Sequence, residues 1–260
     1  MNTEPISRSI KNVSTPHDRT AWLLGGEKLC EQPPRIPRDR AWRIVLLGAP
    51  GVGKGTQAEK ICHYLGTCHL STGDVFRAAK CADGDCQTGA MREALGFMRR
   101  GELVPNGTVL GLVGERQRCL RCTGGFLLDG FPRTVAQAEA LEELLNQARI
   151  SLDIVLNYKL PLEKIVARIS GRRTCGRCKA VYHLATRAPR FAGICDHCNG
   201  GLIQREDDRP EAVTERMKVY EENINPLVEF YRRRRSLVNI SADGSAEEIF
   251  QYTREAALVR

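Results

Sequence analysis

The feature that most limits what this chain can become is a glycine-rich turn held between two apolar segments, Gly48-Ala49-Pro50-Gly51-Val52-Gly53-Lys54-Gly55-Thr56. Ahead of it, Arg43-Ile44-Val45-Leu46-Leu47 is a β-branched and leucine run that reads as a buried strand. Behind it, Thr56–Leu65 has helical spacing, with Ala58, Ile61, Cys62 and Leu65 on one face. Strand, glycine turn and helix in that order open a doubly wound α/β sheet. Such a turn holds phosphate through a nest of backbone N–H groups, the helix N-terminus and a lysine charge. Glycines let the backbone approach the anion and take positive φ. The usual pattern puts Ser or Thr directly after Gly-Lys. Here Gly55 intervenes and Thr56 follows.

Further buried strands are expected at Cys68–Ser71, Phe126–Asp129, Ile154–Tyr158 and Leu237–Ile240. Helices are expected between them, at Val135–Gln147, Leu162–Ile169 and Ala212–Arg232. This alternation implies a parallel sheet buried on both faces. Phe126-Leu127-Leu128-Asp129 ends in an acid that would emerge beside the phosphate turn, where it can reach a bound metal through water. Two stretches break the alternation. Residues 72–104 read as helical throughout, and residues 171–208 are rich in Gly, Cys and Arg. Each is an expected insertion over the C-terminal edge of the sheet, where ligands bind in such folds.

Cys175-Gly176-Arg177-Cys178 and Cys195-Asp196-His197-Cys198 are two CxxC knuckles with sixteen residues between them. That is the spacing of a structural four-thiolate zinc site, with iron an alternative metal and a redox disulfide the competing reading of each knuckle alone. His197 is a bystander if four sulfurs complete the tetrahedron. Metal would supply the fold of a flap too small to bury much core. Cys119-Leu120-Arg121-Cys122 is a third knuckle that, with Cys81 and Cys86, offers a second, irregularly spaced metal set. Cys30, Cys62 and Cys68 read as small hydrophobes.

The segments Gly51-Val52-Gly53-Lys54-Gly55-Thr56-Gln57, Leu70-Ser71-Thr72-Gly73-Asp74 with Arg77, Asp129-Gly130-Phe131-Pro132-Arg133-Thr134 with Gln137, and Gly171-Arg172-Arg173 together resemble the adenylate kinase family. The Gly-Lys-Gly-Thr turn is the form that family carries. The resemblance covers about residues 42–255 and leaves residues 1–41 as a polar tail punctuated by proline. It implies a five-stranded, doubly wound parallel sheet of the P-loop NTPase type, an AMP-binding helical lobe at 71–104 and a zinc-ribbon lid at 171–208. The implied activity is reversible phosphoryl transfer, ATP + AMP = 2 ADP.

The same resemblance assigns roles. Gly51, Val52, Gly53, Lys54, Gly55 and Thr56 would hold the ATP phosphates, and Asp129 would hold Mg²⁺ through water. Arg168, Arg172, Val181, Tyr182 and Ala246 would complete the ATP site. Thr72, Arg77, Glu102, Leu103, Val104, Gly130, Phe131, Pro132, Arg133 and Gln137 would form the AMP site. Lys54, Arg133, Arg172, Arg205 and Arg216 would be catalytic, with Arg205 and Arg216 also touching AMP. Cys175, Cys178, Cys195 and Cys198 would bind zinc, and Asp207-Asp208 looks like the acidic pair beside the lid's hinge. The sequence departs from the common bacterial form by about four extra residues between Arg77 and Glu102, and by the acid at position 102.

Composition narrows the alternatives. The formal charge of +8 suits an anionic partner, but aromatics are only 6% of the chain, too few for a stacking surface for nucleic acid. A P-loop ATPase with a nucleic-acid-binding zinc ribbon is therefore a remote alternative; nearer ones are a UMP/CMP kinase, or an AMP kinase using GTP. No run approaches the roughly 20 apolar residues of a membrane span. Eleven cysteines without a secretory h-region suggest reduced thiols, hence a cytoplasmic protein, expected to be a monomer. The acids Glu4, Asp18, Glu27, Glu31 and Asp39 argue against an organelle transit peptide.

Overall fold

The computed structural model describes residues 20–24, 40–81, 89–178 and 180–258. A short helix, α1 (Thr20–Leu24), comes first. The phosphate turn lies between β1 (Trp42–Gly48) and α2 (Lys54–Leu65), and β2 (Cys68–Ser71) follows. Four helices lead away from β2: α3 (Thr72–Cys81), α4 (Gly89–Arg100), α5 (Asn106–Gly114) and α6 (Gln117–Leu120). Alternation resumes with β3 (Gly125–Asp129), α7 (Val135–Gln147), β4 (Ile154–Lys159) and α8 (Leu162–Ser170). Three short strands come next: β5 (Arg172–Cys175), β6 (Val181–His183) and β7 (Leu202–Ile203). A 3₁₀ turn at Glu206–Asp208 leads into α9 (Pro210–Arg233), β8 (Leu237–Ser241) and α10 (Ala246–Thr253).

The main sheet has the order β2-β3-β1-β4-β8, with every pair parallel. Because side chains alternate along a strand, β1 serves two cores. Ile44 and Leu46 share one with Ala58 and Ile61 of α2 and with Ile249 and Phe250 of α10. Val45 and Leu47 share the other with Phe76 of α3, Val113 of α5, Leu141 of α7 and Leu227 of α9. β1 lies between β3 and β4, so the order reverses there and opens a crevice at the strands' C-terminal ends. A second, antiparallel sheet, β6-β5-β7, carries its own small core of Cys175, Cys178, Tyr182 and Cys195.

The five expected strands form the main sheet, and α7, α8 and α9 span the expected helices to within two residues at each end. Residues 72–104 are not helical throughout. α4 stops at Gly101, which takes φ +84° where an added Cβ would strike the carbonyl of Ala212, and residues 102–105 lie outside any helix. Within the stretch read as a polar tail, α1 buries Ala21 and Trp22. Among the described residues the four lid cysteines are the one cluster of three or more metal-type ligands. Cys122 instead shares a hydrogen bond with Cys68. Cys30, Cys86 and the side chain of Cys81 lie outside the described residues. No helix among the described residues is long and apolar enough to cross a membrane.

At the start of β3, Gly125 takes φ +76°, and a Cβ there would sit 2.7 Å from the Trp42 nitrogen. Gly125→Ala therefore combines left-handed strain with a backbone clash between two central strands. We expect it to lower the unfolding free energy by about 2 kcal/mol or more, seen as a lower urea midpoint at unchanged slope.

Candidate active site

The phosphate turn is shaped by three glycines with positive φ: Gly48 at +139°, Gly51 at +79° and Gly53 at +102°. At Gly48 a side chain would also be pressed against the Tyr158 carbonyl, 2.6 Å from an added Cβ. Lys54 folds back beneath the turn, and its ammonium donates to the carbonyls of Gly48 at 2.6 Å and Ala49 at 2.9 Å. Burial pulls its pKa down to about 8; Asp129 opposes the shift, while Arg133, Arg216 and Arg172 add to it. That set of neighbours means that a lysine, three arginines and a carboxylate share one electrostatic neighbourhood.

Asp129 ends β3 beside the turn, 4.0 Å from where Gly55 would carry a Cβ. Burial disfavours its charge, but hydrogen bonding from His69 and the nearby Lys54 ammonium outweigh this and hold the carboxyl below its ordinary value. His69 Nε2 lies 3.4 Å from Asp129 Oδ2. The sequence reading missed His69. Its one signal was a histidine in a short, otherwise buried strand next to the one that ends in Asp129.

The arginines arrive from three directions. Arg133 follows the cis Phe131–Pro132 bond, and its Nε donates to the Gly130 carbonyl at 2.8 Å. Arg172 opens β5 and donates Nε to Asp208 Oδ2 at 2.7 Å, with a second, shorter bond from Nη2 to Asp208 Oδ1. Arg216, on α9, pairs with Asp207 at 2.9 Å and lies 3.6 Å from Asp208. Burial lowers the Arg216 pKa to about 10, with the two acids resisting and Arg172 and Arg133 adding to the shift, so it stays charged at neutral pH. Asp208 is fully buried, a position tolerable for a carboxylate only when it is paired this well. Arg205 is bonded through Nε to Thr174 Oγ1 at 2.9 Å, on the root of the small sheet.

Two clefts meet here. One, of about 650 Å³, runs from Gly48 and Lys54 past Arg216 to Arg133. The other, of about 320 Å³, is lined by Thr72, Phe76, Val104, Val109 and Gln137. Leu103, Gly130 and Arg133 border both, so the two share a wall. Gln137 is buried; its Oε1 accepts from the Arg133 backbone at 2.8 Å and its Nε2 donates to Asn106 at 2.8 Å. An amide has two donors and two acceptor positions, so one N–H and one lone pair are left for a ligand. Asn106, the residue that orients this amide, was not anticipated. Glu102 is held by both Nε and Nη2 of Arg100, at 2.7 and 2.6 Å, and lines neither cleft. Arg77 lies on α3, but its side chain is outside the described residues.

Arg168 donates to the carbonyls of Val52, Ala242 and Gly244 at 3.0, 3.0 and 3.2 Å. It thereby ties the phosphate turn to the loop that leads into α10 at Ala246. In the small sheet Val181 is half-buried, but Tyr182 turns inward. Its ring is buried and its hydroxyl accepts from the Asp196 backbone at 2.8 Å and lies 3.4 Å from Cys195 Sγ. Alternation along β6 thus puts the ring in the core of the small sheet, and leaves the backbone of Val181 and Tyr182 as what this strand can offer a ligand.

The ligand atoms of Cys175, Cys178, Cys195 and Cys198 all lie within 4.8 Å of one another. Burial raises the Cys175 pKa, and backbone N–H groups of Cys178 and Arg177, each 3.4 Å from its Sγ, pull the other way. Four convergent sulfurs with N–H donors fit a closed structural metal site.

The adenylate kinase family model matches residues 46–236. Adenylate kinase from Carboxydothermus hydrogenoformans is 45% identical over 214 residues, covering 82% of this chain and 98% of that protein. The Archaeoglobus fulgidus adenylate kinase is 44% identical over 208 residues, covering 80% and 94%. That of Caldicellulosiruptor saccharolyticus is 46% identical over 213 residues, covering 82% and 96%.

This chain belongs to the adenylate kinase family. The family model takes in the phosphate turn, both clefts, the acidic pair and the cysteine quartet, and it begins well after α1.

The lowered Lys54 pKa makes a testable statement about pH. A free enzyme whose lysine loses its charge above about pH 8 binds the triphosphate less well there. The alkaline limb of kcat/KM for ATP is therefore expected near pH 8, and that of kcat should lie higher because bound phosphate stabilises the ammonium. Steady-state profiles from pH 6 to 10 check this, with Lys54→Arg expected to remove the limb from whatever activity it retains.

Proposed function

We propose that this chain transfers the terminal phosphoryl group of MgATP to AMP, giving two ADP, with ATP over the phosphate turn and AMP in the smaller cleft. The observation that carries the reading is the shared wall of the two clefts at Gly130 and Arg133, in the same neighbourhood as Lys54, Arg172 and Arg216. Charge in phosphoryl transfer lies on peripheral oxygens, so cations and positioning suffice and no protein nucleophile is needed.

In this reading Gly51 to Thr56 hold the ATP phosphates and Lys54 neutralises the group in transit. Arg168 fixes the turn against the loop to Ala246, which receives the donor base, and the backbone of Val181 and Tyr182 covers it. Thr72, Leu103, Val104, Gly130, Phe131, Pro132 and Gln137 receive AMP, whose phosphate is clamped by Arg77 and Arg133. Glu102 serves by its backbone. Arg172, Arg205 and Arg216 close over the reacting phosphates, and Asp207 and Asp208 keep Arg172 and Arg216 aimed at the junction. Asp129, held ionised beside the turn, suits water-mediated contact to Mg²⁺, which supplies charge neutralisation when bound. The AMP lobe comprises 71–104 and the lid 171–208, folded around zinc at the cysteine quartet. One chain supplies every group, so a monomer suffices.

A coupled assay of the purified protein with MgATP against AMP, UMP, CMP and GMP tests the assignment. AMP should be preferred by roughly 10²-fold or more in kcat/KM. Comparable turnover of UMP or CMP moves the assignment to a pyrimidine nucleotide kinase, and no turnover of any monophosphate overturns it.

The metal is assigned to scaffolding. Cys195→Ser with Cys198→Ser should abolish zinc content and lower the melting temperature. Measurable activity should persist at low temperature with excess Mg²⁺. Complete loss in a variant that stays folded would place the metal in the chemistry.

A further inference from the structure

The segment ahead of the family match contributes a residue that nothing in the reading above uses. α1 is short, yet Trp22 is fully buried, and its indole Nε1 donates to the Ser71 carbonyl at 3.0 Å. Ser71 is the last residue of β2, and its hydroxyl accepts from the Asp74 backbone at 3.2 Å, capping α3. The next residue, Thr72, begins α3 and lines the smaller cleft, as does Phe76 one turn later. The Ser71 hydroxyl is thus occupied by the helix it starts, and the Ser71 carbonyl by Trp22.

A second observation shows that the core is built around this docking. Arg116 is buried, and burial depresses its pKa. Its Nε donates to the Trp22 carbonyl at 2.6 Å, and its Nη1 donates to Leu112 O at 2.9 Å and to the Glu115 carboxylate at 3.1 Å. A guanidinium taken out of water needs its donors matched. The Nε donor takes its matching acceptor from α1. α1 lies ahead of residue 46, where the match to the family model begins, so Trp22 is outside the matched residues while Ser71 and Arg116 are within them.

We propose that Trp22 is a positioning residue for the acceptor nucleotide: α1 clamps the β2–α3 corner and so fixes Thr72 and the cleft-facing side of α3. The inference rests on the smaller cleft being the AMP site. The effect should fall mainly on the acceptor side, because the Ser71 that Trp22 holds directly precedes Thr72, which lines the smaller cleft with Phe76, whereas Val52 of the phosphate turn packs with α2 in the core on the other face of the sheet.

The test compares Trp22→Phe, which keeps a ring and removes the N–H donor, with Trp22→Ala, both in the full chain. Trp22→Phe should raise the KM for AMP about twofold to tenfold, the range for one lost hydrogen bond, and Trp22→Ala should raise it further. The KM for ATP should stay within about twofold. Arg133→Ala, with its AMP affinity also measured by calorimetry, is the control for the site itself. If Arg133→Ala weakens AMP but neither Trp22 variant does, the positioning role is wrong and the site assignment stands. If Arg133→Ala leaves AMP binding unchanged, the site assignment fails and takes this inference with it. A lower melting temperature with both KM values unmoved, or an equal rise in both, reduces Trp22 to a structural residue and overturns the proposal. Should Trp22→Ala not fold, Trp22→Phe alone decides.

Discussion

Everything around the cleft follows from crowding like charges. Burial weakens the hold of Lys54 and Arg216 on their protons, and the cations beside them weaken it further: Arg133 and Arg172 act on both, and Arg216 acts on Lys54. Isolated in a low-dielectric crevice, such a set would be untenable. Three carboxylates make it tenable: Asp129 beside Lys54, and Asp207 and Asp208 against the arginines. They come from two kinds of segment, a strand end for Asp129 and one 3₁₀ turn for Asp207 and Asp208. The long excursions of the chain between strands are what bring those segments to one place.

The parallel sheet provides the fixed frame for this arrangement. Three strands, β1, β3 and β8, carry the phosphate turn, Asp129 and the loop to α10 at their C-terminal ends, while Arg172 comes from the small antiparallel sheet and Arg205 from the chain that leaves it. Bonds of Arg168 to three carbonyls join the phosphate turn to the α10 loop across the sheet's end. Asn106 does similar work on the other side, holding the Gln137 amide. Neither residue has the freedom of a surface charge, because its partners are backbone or buried.

Much of this was legible in the sequence, for reasons that are local. A strand buried on both faces is an unbroken apolar run, so β1, β3 and β4 could be read directly. The phosphate turn and the cysteine knuckles are chemistry written at fixed spacing. What could not be read depended on distant partners. α5, with its glycines at 107, 111 and 114, has no helical signal of its own and is held by packing against α7. Nothing near Tyr182 in the sequence shows that its ring is buried, because the interior it enters is made by cysteines at 175, 178 and 195. α1 sits among prolines and charges, and only Ser71 and Arg116, far along the chain, make a core residue of Trp22.

The alternation along β1 carries a consequence beyond packing. Since Ile44 and Leu46 belong to one core and Val45 and Leu47 to the other, the sheet is a partition between the helix that follows the phosphate turn and the helices that line the smaller cleft. Substitutions that repack one side are insulated from the other by a layer of backbone hydrogen bonds. A change that repacks α2 against Ile44 and Leu46 is thus a layer of backbone away from Phe76 and Val109 of the smaller cleft, whereas one at Leu47 or Leu227 enters the core from which both clefts are walled.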